Sequence, residues 1–286
     1  MKLISQGGLG NQLFLLNFAH QLKSEKKKSV ELITRSLSKA QDDRRFEIGH
    51  VLDHCSHGIT YRTADVPFDA FNFLDQARLF RESHSKTIQK KLLFVNVPSP
   101  FSTPSSIGNS SRYVRGYFQS AESVNIHLES YVQEISSAIE EQAGQGETNQ
   151  KTEKYQAIHI RRGDFVNSKN STGLLSLTYY QSGLVDFLPL KIVTDGDLNF
   201  IKEIKKIFPA SEIYGSESMN TWQAFNLLAH ASILQIANST FSWWAGVLAN
   251  FKGGKVFAPS PWNLIPQEGI ENLTNPKFTY RKAFFE

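Results

Sequence analysis

Short apolar clusters alternate with longer amphipathic stretches in the second half of the chain. The clusters predict strands over 157–160, 191–194, 212–214, 233–237 and 255–258, and the stretches between them predict helices over 197–208, 221–230 and 241–250. In the first of these helices, Leu198, Ile201, Ile204 and Phe208 share one side. This alternation is typical of a parallel sheet covered by helices, so the sequence predicts an α/β fold.

The first half of the chain begins with the same pattern. A short strand over 2–5 leads through a glycine-rich segment, 7–12, into a thoroughly apolar helix. Further strands are predicted over 30–34 and 113–118.

A second amphipathic helix and a linker are predicted in the middle of the chain. Apolar residues at 124, 128, 132, 135 and 139 predict one helix that ends near Glu140. The polar segment 141–154 predicts a linker, which separates an N-terminal domain over 1–150 from a C-terminal domain over 151–286. The stretch 42–111 has no clean periodicity, so no element is predicted there.

The composition restricts the class of protein. Apolar residues make up 40% of the 286, enough for a sizeable core, and lysine and arginine exceed aspartate and glutamate by 31 to 27. A net charge of +4 is far from the basic stripe of a nucleic-acid binder, so no nucleic-acid partner is expected. Cys55 is the single cysteine, and from the apolar pattern we expect neither a signal peptide nor a membrane-spanning run. We therefore expect a cytoplasmic protein with at most peripheral membrane contact.

Polar residues follow the predicted strands at the point where each one ends. They are Arg161, Arg162, Gly163 and Asp164 after the first strand of the second half, then Asp195, then Ser216, then Ser239 with Thr240. Ligands of parallel sheets bind beyond the carboxyl ends of the strands, so a nucleotide is expected among these loops.

The arginine pair predicts a pyrophosphate site. Guanidinium groups grip phosphate oxygens through two parallel hydrogen bonds, which lysine cannot reproduce. Successive side chains of an extended segment point in opposite directions, so we expect one of Arg161 and Arg162 to face the ligand and the other to brace the loop. Asp164 either orients that arginine or acts as a base.

Two strand-to-helix junctions offer backbone amides to an anion. Gly8 and Gly10 open the first helix, although Leu13 replaces the third glycine of a dinucleotide fingerprint, and a tight turn explains the glycines equally well. Asn11 and Gln12 add side chains that both donate and accept hydrogen bonds. At the second junction, Ser239 and Thr240 suit either a helix cap or a phosphate.

Two groups of residues resemble metal sites only in part. Asp195 and Asp197 match an acidic Asp-x-Asp pattern, but Asp197 opens an apolar helix and is more simply interpreted as its N-cap. The cluster His50, His54, Cys55 and His57 lacks the glutamate of a zinc protease and a second ligand group. No metal and no cofactor are therefore predicted.

Three segments together resemble a known family. They are Gly7-Gly8-Leu9-Gly10-Asn11-Gln12-Leu13-Phe14, His159-Ile160-Arg161-Arg162-Gly163-Asp164-Phe165 and Asn238-Ser239-Thr240-Phe241-Ser242-Trp243-Trp244-Ala245, with further likeness at 116–120 and 258–262. This combination resembles the bacterial α-1,2-fucosyltransferases of glycosyltransferase family 11.

The resemblance implies a GT-B architecture, with two Rossmann-like domains and the active site in the cleft between them. It implies a nucleotide-sugar donor domain over 151–286 and an acceptor-side domain over 1–150. The donor would be GDP-β-L-fucose, and the acceptor would be the 2-hydroxyl of a galactose in an oligosaccharide or lipid-linked glycan. Transfer would invert the anomeric configuration without a metal and would serve surface-glycan assembly.

Site residues follow from the same resemblance. Arg161 would hold the β-phosphate as the glycosidic bond breaks, and His159 and Asp195 would line the donor pocket. Ser239, Thr240 and Phe241 would contact phosphate, and the loop of Gly8, Gly10 and Asn11, followed by Gln12, would close over the pyrophosphate. Asp164 is the candidate base.

One position departs from the family pattern. Related fucosyltransferases tend to carry an aspartate that reads guanine where this chain has Ala224. Gln223 or Asn226 would have to supply the missing acceptor, and otherwise a different nucleotide-sugar donor is expected. A nucleotide-sugar or glycan-binding protein without turnover is the alternative from another class.

Overall fold

The computed structural model describes residues 1–26, 29–35, 46–54, 58–64, 94–96, 113–144 and 153–286. These residues form two compact units, Met1–Tyr131 and Val132–Glu286. None of the helices in these ranges has the length and apolarity needed to cross a membrane.

The first unit is built on a parallel sheet. Its described elements are β1 (Lys2–Ile4), α1 (Leu9–Lys26), β2 (Val30–Arg35), α2 (Gly49–His54), β3 (Ile59–Ala64), β4 (Phe94–Asn96), β5 (Tyr113–Arg115) and α3 (Ala121–His127). The strands lie in the order β3-β2-β1-β5-β4, and each pairing is parallel. The strand order therefore reverses between β1 and β5, which is where open parallel sheets bind ligands.

The second unit repeats this architecture around a longer sheet. Its elements are α4 (Val132–Gln142), β6 (Gln156–Ile160), α5 (Leu177–Gln181), β7 (Leu190–Thr194), α6 (Leu198–Ile207), β8 (Glu212–Tyr214), α7 (Thr221–Ala229), β9 (Ile233–Gln235), α8 (Thr240–Phe251), β10 (Lys255–Ser260) and β11 (Thr279–Lys282). The strands lie in the order β11-β10-β9-β6-β7-β8, all parallel. The order reverses between β6 and β9, so the loops after these two strands flank the expected ligand position.

Two α/β units on parallel sheets confirm the predicted fold class. The predicted strands of the second half are present, with small shifts at their ends, because continuous apolar runs mark strands buried on both faces. The sequence did not predict β11, since this edge strand (Thr279–Lys282) is polar and partly exposed. It also predicted no element in 42–111, where the structure has α2, β3 and β4.

The predicted single helix around residue 130 is wrong. The chain forms α3, then a 3₁₀ turn over Leu128–Ser130, and then α4. The break falls at Tyr131, whose hydroxyl donates to Asn17 Oδ1 and whose ring stacks on His20 at a centroid distance of 4.7 Å. These contacts hold Tyr131 in the first unit, whereas α4 packs against α7 in the second.

The unit boundary therefore precedes α4. The predicted division stood at 150/151, and the middle of the predicted linker, 145–152, lies outside the described residues.

The core of the second unit lies on both faces of β6. All five residues of this strand are buried, and Ile158, Ile192 and Ile204 belong to one apolar cluster between the sheet and its helices. In α8, Trp243 and Trp244 are fully buried, and the Trp243 Nε1–H donates to the Leu273 carbonyl oxygen at 2.9 Å. Because this core is closely packed, polar side chains can reach solvent or a ligand mainly at the ends of the strands.

The interpretation of Asp197 as a helix cap is confirmed. Its Oδ1 accepts a hydrogen bond from the Phe200 N–H at 2.9 Å, and its backbone is extended as at other N-caps.

Two substitutions of Asp197 test whether this residue acts as a helix cap or as a metal ligand. We expect Asp197→Ala to lower the free energy of unfolding by about 1 kcal/mol and Asp197→Asn, which still caps, to lower it by a few tenths. Urea unfolding of both variants measures this difference. A large loss of metal-dependent activity in Asp197→Asn with unchanged stability would contradict the cap assignment.

Candidate active site

Arg161 begins the polar loop at the end of β6. Its Nη1 donates to Asp195 Oδ2, and its Nη2 donates to Asp164 Oδ1. The Arg161 side chain is only 19% exposed, while that of Asp164 is 53% exposed. Two carboxylates thus hold one guanidinium at the edge where the strand order reverses.

Asp195, directly after β7, organises the whole loop. Its Oδ1 accepts hydrogen bonds from the backbone N–H of Arg162 at 2.6 Å and of Gly163 at 3.1 Å. Its Oδ2 accepts a hydrogen bond from Nη1 of Arg161. A Cβ on Gly163 would lie 2.5 Å from Asp195 Oδ2, so only glycine allows this close approach. Asp195, predicted to line the donor pocket, therefore uses both carboxylate oxygens to position the arginine loop.

Arg162 braces the loop from the other side. Its guanidinium stacks on the Phe200 ring at 4.0 Å, and Nη1 donates to Glu286 Oε1 at 2.8 Å. These contacts give the two adjacent arginines different roles, with Arg161 at the carboxylate pair and Arg162 against the protein. Phe200 and Glu286 lie far from Arg162 in sequence, and no local motif indicated them.

His159 lies on β6 beneath Arg161 and is 4% exposed. Burial, together with the charge of Arg161, lowers the pKa of His159 to about 3, so the imidazole is neutral at physiological pH. Its Nδ1 is buried without a hydrogen-bond partner among the described residues. The ring lies 5.4 Å from that of Phe241, which connects the end of β6 to α8.

The start of α8 lies beside these loops of the second unit. Ser239 occupies the N-cap position, but its hydroxyl makes no capping hydrogen bond, and Thr240 and Phe241 form the first turn. Asn238 Nδ2 donates to the carbonyl oxygens of Thr172 and Gly173 at 3.2 Å each, which ties the loop before the helix to the loop after β6. A helix N-terminus carries partial positive charge and free N–H groups, so this junction suits an anion.

The glycine segment of the first unit forms a tight turn at the start of α1. Gly7 has a φ of +72°, and the Gly8 carbonyl oxygen accepts from the N–H of Asn11 at 3.0 Å and of Gln12 at 3.1 Å. Gly10 belongs to the first turn of the helix.

Gln12 is only 1% exposed. It donates to the Gly7 carbonyl oxygen at 3.0 Å, and its Oε1 accepts from the N–H of Glu47 at 2.8 Å. Gln12, predicted to bind the donor, thus uses both ends of its carboxamide to tie the turn to the segment before α2.

One protein family matches most of the chain. The sequence model of glycosyl transferase family 11 matches residues 70–271. The chain belongs to glycosyl transferase family 11.

A curated relative and solved structures were also found. An alpha-1,2-colitosyltransferase of Escherichia coli is 32% identical over 121 residues, a match that covers 37% of this chain and 40% of that protein. The fucosyltransferase NodZ from Bradyrhizobium is 14% identical with a TM-score of 0.42, covering 86% of this chain and 92% of NodZ. A mutant of FUT1 from Arabidopsis thaliana in complex with GDP is 12% identical with a TM-score of 0.43, covering 92% of this chain and 71% of FUT1.

This glycosyltransferase has an apolar residue where a guanine-reading carboxylate was expected. Ala224 is buried on α7. Of its two expected substitutes, Gln223 closes a capping box, since its Oε1 accepts from the Asn220 N–H at 3.0 Å. Asn226 instead keeps a buried Oδ1 without a partner among the described residues.

Two other sequence predictions concern residues away from these loops. Ser216 follows the edge strand β8 and is exposed. Cys55, His57 and the His54 side chain lie outside the described residues. Within the described ranges, no group of three or more metal-ligating side chains is found.

The depressed pKa of His159 predicts a pH dependence of stability. Because the unfolded imidazole titrates near 6.5, the unfolded chain binds this proton more readily. The stability that the neutral His159 imidazole contributes to the free energy of unfolding is therefore fully present above about pH 6.5. It is lost as the pH falls towards 3, by at most about 1.4 kcal/mol per pH unit.

We expect His159→Gln to flatten the fall in unfolding free energy between about pH 6.5 and about pH 4.5. Urea unfolding at several pH values measures the slope. A packing defect alone would shift the free energy by a similar amount at each pH. An unchanged slope in the variant would contradict the buried neutral imidazole.

Proposed function

We propose that this glycosyltransferase moves L-fucose from GDP-β-L-fucose to the 2-hydroxyl of a galactose residue, forming an α-1,2 linkage with inversion. The observation that supports this most strongly is the fixed Arg161 guanidinium, held by Asp195 and Asp164 at the point where the second sheet reverses its strand order. The N-terminus of α8 adjoins the same reversal, since β6 and β9 are neighbours.

The chemistry of the reaction matches this arrangement. When the bond between fucose C1 and the β-phosphate oxygen breaks, positive charge develops on the sugar and negative charge on GDP. A preorganised guanidinium and helix N–H groups stabilise the departing phosphate, and Ser239 and Thr240 stand at that helix start. The acceptor oxygen attacks C1 from the opposite face, which inverts the anomeric configuration.

Asp164 is the proposed base for the acceptor hydroxyl. Its carboxylate is 53% exposed and lies on the same loop as Arg161, to which it is paired. The proton of the galactose 2-hydroxyl would pass to this carboxylate as the new glycosidic bond forms. His159 is a poor candidate for a base, because its burial disfavours the protonated imidazole.

Guanine recognition is where this chain departs from the family pattern, at Ala224. Gln223 already takes part in a capping box of its own helix, whereas the buried Oδ1 of Asn226 has no partner in the described part of the chain, so we assign the guanine contact to Asn226. A single amide oxygen replaces the two oxygens of a carboxylate, and discrimination against adenine is expected to be weaker by about 1–3 kcal/mol.

The bound donor needs no metal in this proposal. Asp197, the second acid of the Asp-x-Asp pattern, caps α6, and Asp195 is committed to Arg161 and two backbone amides. The positive charge that a metal would supply comes from Arg161 and the start of α8 instead. The assignment to cytoplasmic surface-glycan assembly stays a prediction from the sequence.

Colitose is the second candidate for the transferred sugar. The E. coli relative is an alpha-1,2-colitosyltransferase, and colitose is L-fucose without its 3-hydroxyl. Both candidates share the α-1,2 linkage and differ only in whether the site contacts O3 of the sugar.

A transfer assay in EDTA tests the proposal. We expect the purified chain, given GDP-fucose and lactose, to yield a fucosylated lactose whose new bond is on galactose O2, read by mass spectrometry and NMR. The rate should be the same with and without EDTA. A higher kcat/KM with the corresponding colitose nucleotide would favour the second candidate, and neither product nor GDP release with either donor would contradict the proposal.

A further inference from the structure

Phe118 adopts a backbone conformation that side chains rarely accept. Its φ is +53°, and it is the one residue other than glycine with a positive φ in the described part of the chain. For a bulky residue the left-handed region costs about 1–2 kcal/mol. The surrounding structure must therefore hold it there.

Packing from two sides holds Phe118 in place. Its ring stacks on Phe18 of α1 with 3.8 Å between centroids and 3° between planes, and the residue is 2% exposed. On the other side the ring covers Gly116, where a Cβ would lie 2.7 Å from it. Burial of this ring offsets the backbone strain.

The unusual turn determines where the next two side chains point. Ser120 caps α3, since its Oγ accepts from the Ser123 N–H, and Ser123 Oγ in turn accepts from Asn17 of α1 at 2.9 Å. Between these anchored residues, Gln119 Nε2 donates to Asn11 Oδ1 at 2.9 Å. The strained loop thus presents Gln119 to the first turn of α1.

Asn11 transmits this contact to the glycine turn. Its side chain lies over Gly7, where a Cβ would be 2.5 Å from Asn11 Nδ2, and the φ of Gly7 is +72°. The hydrogen bond from Gln119 fixes the orientation of the Asn11 amide. Because Oδ1 accepts from Gln119, Nδ2 must point towards Gly7. Gln119, Asn11 and Gly7 therefore form one continuous set of contacts from the loop after β5 to the turn after β1.

We propose that Gln119 is a positioning residue for glycosyl transfer, which orients Asn11 and the glycine turn for the pyrophosphate of the donor. This inference rests on the proposed function and on the expectation, taken from the family resemblance, that the Gly8–Asn11 loop contacts that pyrophosphate. Gln119 itself touches no reacting atom. Its effect therefore falls on donor affinity rather than on bond breaking.

A double-mutant cycle tests the proposal. Gln119→Met keeps the length of the side chain and removes the N–H donor, and Asn11→Ala removes its partner. We expect Gln119→Met to raise the KM for the donor about 3- to 10-fold, with kcat changed less than about twofold, because one hydrogen bond is lost. The double variant should bind donor no more weakly than Asn11→Ala alone, since the two residues act through the same contact.

Two further variants sharpen the result. Gln119→Glu can only accept, so Asn11 would have to turn its Nδ2 away from Gly7, and we expect a larger rise in KM than in Gln119→Met. Gln133→Ala, at an exposed glutamine of α4, should behave as the wild type. Additive effects of Gln119→Met and Asn11→Ala, or a wild-type donor KM in Gln119→Met, would overturn the proposal.

Titration with GDP separates this inference from the proposed function. If the wild type transferred neither sugar but bound GDP, the same cycle would be read from the Kd for GDP, with the same fold-changes expected. Equal GDP affinity in the wild type and in Gln119→Met would then overturn the role of Gln119 independently of the reaction.

Discussion

The carboxylate of Asp195 makes the contacts on which the candidate site of the second unit depends. One oxygen accepts from the guanidinium of Arg161 and the other from two successive backbone amides, so one side chain sets both the arginine and the loop that carries it. Hydrogen bonds to a charged group contribute about 1.5–3 kcal/mol each. The absence of a Cβ at Gly163 makes this approach possible, and Arg162 stacks on Phe200 on the other side of the loop.

Both units place their polar loops at the same kind of position in a parallel sheet. A buried parallel strand ends, the strand order reverses, and a helix begins beside it, which brings backbone N–H groups to one edge. In the second unit, Arg161 and the start of α8 lie at that edge. In the first unit a glycine turn lies at that edge. The Gln12 side chain holds it through a hydrogen bond to the Gly7 carbonyl oxygen, and the Gln119–Asn11 hydrogen bond provides a second contact. The strain at Phe118 is confined to the segment that makes this second contact.

The sequence predicted features that depend on short-range pattern. The buried strand before Arg161, the glycines of the turn and the cap at Asp197 are all encoded within a few residues, and each was recognisable. The positioning roles of Gln12 and Asp195, and the partners Phe200 and Glu286 of Arg162, arise from residues brought together by folding and have no local signal. The break at Tyr131 was missed for a related reason. The apolar spacing continues through the 3₁₀ turn, and only the contacts of Tyr131 with Asn17 and His20 reveal that the helix ends.

In the proposed reaction, Arg161, as fixed by Asp195, holds the diphosphate of the donor, while Arg162 only braces the loop. Calorimetric titration with GDP of Arg161→Lys and Arg162→Lys tests it most directly, because both variants keep the charge and lose the planar fork. We expect Arg161→Lys to weaken GDP binding by about 10- to 100-fold, and Arg162→Lys to keep near-wild-type affinity with lower thermal stability. Equal losses of affinity in the two variants, or GDP binding that is indifferent to Arg161→Lys, would contradict it.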